Sequence, residues 1–204
     1  MIKAVIFDID GVLEETLDAN IKFYEDLMKN TGYPKPSRKI LEKSHHLTMW
    51  DTIALLTKEN SKDKIMKIWD IGRYADKHDE LKKFPENFLE VIKKLSRKYK
   101  LGIVTGRVRH GADNFLRRSK TGKYFSSVVS FEDYQKAKPD PEPLLVAAKK
   151  LKILPNEAVY IGDALSDRIA AKAAGIKFIF YSNCVKGAVR NFKQLADVIE
   201  NTDK

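Results

Sequence analysis

Five short runs of β-branched and other apolar residues, at 4–7, 101–105, 128–130, 158–162 and 178–181, restrict this chain to few architectures. Each of the last four is followed by a stretch with apolar residues at helical spacing, at 109–118, 141–151, 166–174 and 191–199. Two parallel strands cannot be joined by a tight turn, so the chain between them crosses over, usually as a helix. Alternation of this kind therefore predicts a doubly wound α/β core, a parallel sheet covered by helices. A chain of 204 residues has room for one such domain with a modest insertion.

The segment from 15 to 83 interrupts the alternation. It contains no strand-like run. Leu17, Ile21, Tyr24 and Leu27 recur at helical spacing instead, as do Ile53 and Leu56, and later Ile65, Ile68 and Ile71. Gly32 and Pro34-Lys35-Pro36 end the first of these helices. Phe84-Pro85 marks the return, after which Phe88, Val91, Ile92 and Leu95 lead into the second strand. The expected division is a core formed by residues 1–14 and 84–204, with a helical cap inserted at 15–83.

The formal net charge is +10, from 38 Lys and Arg against 28 Asp and Glu. A nucleic-acid site concentrates its basic residues on one face. Here Lys29, Lys35, Lys58, Lys67, Lys93, Lys149, Lys172 and Lys193 are spread along almost every helical stretch. The charge is expected to solvate the surface and attract anionic substrates, with no nucleic-acid partner. One cysteine, Cys184, excludes an internal disulfide, and no Cys/His pairs stand at zinc-ligand spacing. Asp8 and Asp10 cut the N-terminal apolar run well short of an export signal. No run approaches the ~20 apolar residues needed to span a bilayer. A cytoplasmic monomer or homodimer with no membrane partner is expected.

The chemistry lies at the strand ends. Asp8 and Asp10 stand at the carboxyl end of the first run, and an open parallel sheet collects ligands along that edge. Two acids beside a buried strand are costly without a cation or a proton-transfer role. The second run ends in Thr105-Gly106-Arg107, a hydroxyl and exposed amides at the start of a helix, which suits an anion. Beyond the third run, Lys138-Pro139 holds a cation on a rigid loop before Pro141-Glu142-Pro143 opens a helix. The fourth ends in Gly162-Asp163-Ala164-Leu165-Ser166-Asp167, two more acids on a strand-to-helix turn.

Acids, a hydroxyl, a lysine and amide donors at one edge are the set that phosphoryl transfer with a hard cation needs. Mg2+ takes oxygen ligands, keeps several waters and engages one or two carboxylates along with substrate phosphate. The lysine and hydroxyl orient the remaining phosphate oxygens. A carboxylate nucleophile forms an aspartyl-phosphate, and a second acid protonates the leaving oxygen and later activates water. A cap closing over such a site excludes water and reads the leaving group.

Four motifs in order, Phe7-Asp8-Ile9-Asp10-Gly11-Val12, Val104-Thr105-Gly106, Lys138-Pro139 and Gly162-Asp163-Ala164-Leu165-Ser166-Asp167, resemble the haloacid dehalogenase-like hydrolase superfamily. Tyr124-Phe125-Ser126-Ser127-Val128-Val129-Ser130, Lys138-Pro139-Asp140-Pro141-Glu142-Pro143-Leu144-Leu145 and Ala170-Ala171-Lys172-Ala173-Ala174-Gly175 are similar to its phosphoglycolate-phosphatase-like branch, which carries a helical cap between the first and second motifs. The resemblance implies Asp8 as nucleophile and Mg2+ ligand. Asp10 is then the general acid/base, its backbone carbonyl also on the metal. It further implies Thr105, Gly106 and Lys138 on the phosphoryl group, Asp163 as metal ligand, and Asp167 as a further ligand or as the group fixing Asp163 and Lys138. Gly11 and Gly162 allow tight turns beside phosphate and metal.

The implied activity is Mg2+-dependent hydrolysis of a small phosphorylated metabolite. Phosphoglycolate leads, and sugar phosphates, nucleotides and pyrophosphate stay open. Glu14-Glu15-Thr16 stands where many relatives have an acid and then serine at the cap hinge. Asn20 occupies the region of the hinge histidine of sugar-phosphate mutases and argues against a mutase. Asp10 argues against dehalogenation. The alternatives are a phosphomutase or pyrophosphatase of the same family, or, from another class, a catalytically silent binding module on the same fold. Arg107 is read as a contact for a substrate carboxylate or phosphate. Adjacent His45 and His46 point about 100° apart on a helix and are read as a solvated face. Phe23, Trp50 and Trp69 are read as cap core, and Cys184, without a partner, as no catalytic thiol.

Overall fold

The computed structural model describes residues 1–45, 47–75, 77–182 and 187–202, so His46 and Cys184 lie outside the described residues. Five parallel strands, β1 (Ala4–Phe7), β2 (Lys100–Val104), β3 (Phe125–Val129), β4 (Ala158–Gly162) and β5 (Lys177–Phe180), form one sheet in the order β3-β2-β1-β4-β5. β1 is therefore the middle strand, with Phe7 level with Ile103 on one side and Ile161 on the other. That register brings the residues after β1, β2 and β4 out at one edge. The chain runs outward to one side from β1 and resumes on the other at β4, and such a reversal is where open α/β sheets bind ligands.

Helices α1 (Leu17–Asn30), α2 (Arg38–Ser44), α3 (Met49–Thr57), α4 (Lys62–Tyr74), α5 (Phe88–Ser96), α6 (Arg109–Ser119), α7 (Glu142–Leu151), α8 (Leu165–Ala174) and α9 (Phe192–Thr202) complete the described elements, with four short 3-10 turns. Successive strand side chains point to opposite faces, so β1 feeds two cores. Val5 and Phe7 join Ile103, Ile161 and residues of α5, α6 and α9, including Ile92, Phe115 and Phe192. Ala4 and Ile6 join Val104, Tyr160, and Leu144 and Ala170 of α7 and α8. All four β1 side chains are fully buried, which is why its sequence is apolar without alternation.

The chain forms two compact units, Met1–Glu15 with Phe84–Lys204, and Thr16–Lys83. The second has its own core of Phe23, Leu27, Met28, Ile53, Ile65 and Ile68, against which Trp50 and Trp69 pack. Three of its helices start on hydroxyl caps: the Ser37, Thr48 and Ser61 side chains accept from the amides of Ile40, Asp51 and Lys64. His45 follows α2 half-buried, its Nδ1 3.4 Å from Asn20 Nδ2, rather than facing solvent freely. No helix among the described residues is long and apolar enough to cross a membrane.

Candidate active site

Asp8 leaves β1 with its amide still bonded to Ile161 O, at 3.0 Å, so the strand ladder aims its side chain. One carboxylate oxygen accepts from the Ile9 amide at 2.7 Å and the other from Lys138 Nζ at 2.9 Å. Lys138 also lies 2.7 Å from Asp167 Oδ1 and donates to the Tyr160 hydroxyl at 3.0 Å, which satisfies its three N–H groups. Tyr160 in turn donates to Asp167 Oδ1 at 2.9 Å. The other Asp167 oxygen accepts from the Ala164 amide at 3.1 Å, fixing the fully buried carboxylate at the start of α8.

Asp8, Asp163 and Asp167 each present a carboxylate oxygen, and the three oxygens lie within 4.8 Å of one another. The approach depends on two glycines. At Gly11, with φ +73°, a Cβ would stand 1.9 Å from Asp163 Oδ2, and at Gly162 it would stand 2.5 Å from the Asp167 side chain. Burial pushes Asp8 up to about 7, with Lys138 opposing and Asp167 and Asp10 adding to the rise. Burial together with the charges of Asp8 and Asp167 pushes Asp163 up to about 8. Lys138 is held well above its ordinary value because Asp167 and Asp8 outweigh the opposing effect of burial. With all three ionised, the clustered carboxylates would carry more negative charge than the one ammonium offsets. A hard divalent cation with oxygen ligands fits that excess and that donor set.

Thr105, also fully buried, bonds through its amide to Val129 O at 3.0 Å, and its Oγ1 accepts from the Arg107 amide at 3.2 Å. Gly106 beside it is exposed, with open space where a Cβ would be. Asp10 belongs to a different set of contacts. Its two oxygens accept from Arg107 Nε at 3.0 Å and Nη2 at 2.8 Å, and the same Nη2 reaches Glu14 Oε2 at 2.7 Å. The other Glu14 oxygen accepts from Arg118 at 2.6 Å. Arg107, read from sequence as a substrate contact, is thus engaged by two carboxylates of its own chain.

Sequence reasoning brought together Asp8, Lys138, Asp163 and Asp167, and missed Tyr160, Glu14 and Arg118. Tyr160 reads as one more apolar strand residue, although a buried tyrosine hydroxyl usually has a partner. Glu14 stood out only as a departure at the hinge. Its signal was an acid directly after the apolar pair Val12-Leu13, in a stretch with nothing nearby to neutralise it.

The sequence profile of haloacid dehalogenase-like hydrolases matches residues 5–181. Pyrophosphatase PpaX of Bacillus velezensis is 30% identical over 188 residues, covering 92% of this chain and 86% of that protein. A haloacid dehalogenase-superfamily hydrolase of subfamily IA from Geobacter sulfurreducens is 30% identical, with a TM-score of 0.73 over 97% of this chain and 96% of that one. A candidate phosphoglycolate phosphatase from Lactobacillus plantarum is 25% identical, with a TM-score of 0.78 over 88% of this chain and 86% of that one. The profile spans the first strand to the segment after the fifth, the same residues that build the sheet and its acidic edge, and the chain belongs to the haloacid dehalogenase-like hydrolase family.

Proposed function

We propose that this chain is a Mg2+-dependent phosphatase acting on a small phosphorylated metabolite through an aspartyl-phosphate on Asp8. The supporting observation is the convergence of the Asp8, Asp163 and Asp167 carboxylates on one another and of Lys138 on Asp8 and Asp167. In this reading an Asp8 oxygen attacks phosphorus and the leaving oxygen takes a proton from Asp10. Asp10 then removes a proton from the water that cleaves the acyl phosphate. Lys138 Nζ, Thr105 Oγ1 and the amide of Gly106 hold the phosphoryl oxygens. Asp8, the Asp10 carbonyl and Asp163 would hold Mg2+, with Asp167 as a further ligand or as the anchor of Asp163 and Lys138. The bound ion supplies positive charge that favours ionised Asp8 and offsets charge on the phosphoryl oxygens.

Thr16–Lys83 is, on this reading, the cap that selects the leaving group. The partner is the phosphate ester rather than nucleic acid or a membrane, and the protein is a cytoplasmic monomer or homodimer. A second substrate, pyrophosphate, is favoured by the PpaX relatives, which are named as pyrophosphatases. Phosphate release from a panel of phosphoglycolate, sugar phosphates, nucleotides, pyrophosphate and p-nitrophenyl phosphate, with and without Mg2+, tests the proposal and ranks the substrates. Turnover should require Mg2+ and fall by at least about a thousandfold in Asp8→Asn, since a lost nucleophile removes the covalent route. An inert protein across that panel in the presence of Mg2+ would overturn it.

A further inference from the structure

Glu14 is 0% exposed, a full carboxylate inside the α/β unit. A buried charge of this kind is tolerated only when paired and hydrogen-bonded. Glu14 is paired twice, with Arg107 from the loop after β2 at 2.7 Å and with Arg118 on α6 at 2.6 Å. Arg107 carries the chain of contacts onward with a two-toothed grip on Asp10. The four groups, Arg118, Glu14, Arg107 and Asp10, alternate in sign and balance in charge.

The backbone brings the two acids to the same guanidinium. After β1 the loop folds back on itself: the amides of Val12, Leu13 and Glu14 all point at Ile9 O, at 3.2, 2.9 and 3.0 Å. The Gly11 amide then bonds Glu14 O at 2.9 Å, so the loop closes with Asp10 and Glu14 paired side by side. Asp10 is half-buried, whereas Glu14 is sealed in. Only one of the two acids is therefore placed to meet a substrate. Glu14 instead fixes the guanidinium that orients the other, because Arg presents its donors in a rigid planar fork and a fork pinned at one side is aimed at the other.

We infer that Glu14 is a positioning residue for catalysis, held by Arg118 and acting through Arg107 to set the orientation of the Asp10 carboxylate. The inference rests on the reading above in which Asp10 exchanges protons with the leaving group and water. It assigns Arg107 to the catalytic framework rather than to substrate recognition.

A double-mutant cycle on p-nitrophenyl phosphate tests it. Glu14→Gln keeps the shape and removes the charge that pins Arg107. It should lower kcat by about tenfold to a hundredfold, within the ~10²–10⁴ that a general acid/base contributes, and leave KM within about threefold, because substrate binding is untouched. In an Asp10→Asn background the same change should cost less than about twofold, since the group being positioned is gone. Arg118→Gln removes the donor to the second Glu14 oxygen, and should give a smaller loss in kcat that is likewise absorbed in the Asp10→Asn background. It carries the test alone if Glu14→Gln does not fold.

Wild-type kcat in either folded variant would overturn the inference, as would a loss repeated in full in the Asp10→Asn background, which would mark Glu14 as a support of the fold only. A wild-type protein inert toward p-nitrophenyl phosphate and the metabolite panel with Mg2+ would remove the phosphatase reading and this inference together. An active wild type with additive losses removes this inference alone.

Discussion

Asp8 and Asp163 hold protons to unusually high pH, about 7 and about 8 against an ordinary 3.8, chiefly because burial disfavours their charged forms. In the unfolded chain both are ionised above about pH 4, while in the folded metal-free chain they stay protonated until pH reaches those higher values. The folded state therefore binds more protons across this window, and stability falls as pH rises through about 7 and 8. Mg2+ competes with those same protons. The rise in melting temperature caused by saturating Mg2+ should be larger at about pH 8.5 than at about pH 6. An equal rise at both values, followed by thermal melts, would count against a metal held by these acids.

Gly11 gives a sharper local expectation. A methyl group there would meet Asp163 Oδ2 at 1.9 Å, in a conformation, φ +73°, that L-residues rarely adopt. Gly11→Ala should cost about 1–2 kcal/mol of stability from the backbone alone. By displacing Asp163 it should also raise the Mg2+ concentration for half-maximal activity by more than about tenfold, since a misplaced ligand loses its contact. A Mg2+ titration of the variant checks this, and an unchanged midpoint would show that Asp163 does not need the space.

Residues whose partners follow from a strand end were legible in the sequence. Asp8 and Asp163 each stand one residue past an apolar run and Thr105 closes another, and parallel register does the rest. The ion chain through Glu14 was not legible, because its arginine partners lie 93 and 104 residues further along and no spacing rule links them.

Among the elements, the buried strands were read most easily and the edge of the sheet least. β3 begins at Phe125, three residues before the run read from sequence, because Ser126 is exposed on an outer strand and breaks the apolar signal. β2 ends at Val104, so Thr105 is a loop residue, and its amide still bonds Val129 O of β3, which keeps the strand's aim on its side chain. Three helices of Thr16–Lys83, α2, α3 and α4, owe their starts to side chains that periodicity does not register. Thr48 accepts from the Asp51 amide at 3.1 Å and donates to its carboxylate at 2.7 Å. Thr48→Ala should therefore destabilise α3 by about 1 kcal/mol, read as a lower midpoint in urea unfolding. A midpoint equal to wild type would mean that tertiary packing alone holds that helix.

At the scale of the whole molecule, the sheet is assembled from both sides of a long insertion. β1 comes before Thr16–Lys83 and the other four strands after it. The pairs that flank β1 join Ala4 to Lys100 and to Ala158, so the middle of the sheet depends on contacts between remote parts of the chain. Contacts of that kind form late, since much chain must be ordered before they are gained.

The central position of β1 bears on how the protein is made. The ribosome releases this apolar strand first, yet its second neighbour, β4, emerges only at residue 158. Until then a growing or prematurely terminated polypeptide carries the middle of its sheet as a bare border, open to pairing with other chains. Fragments ending before β4 would be expected to precipitate or to be captured by chaperones.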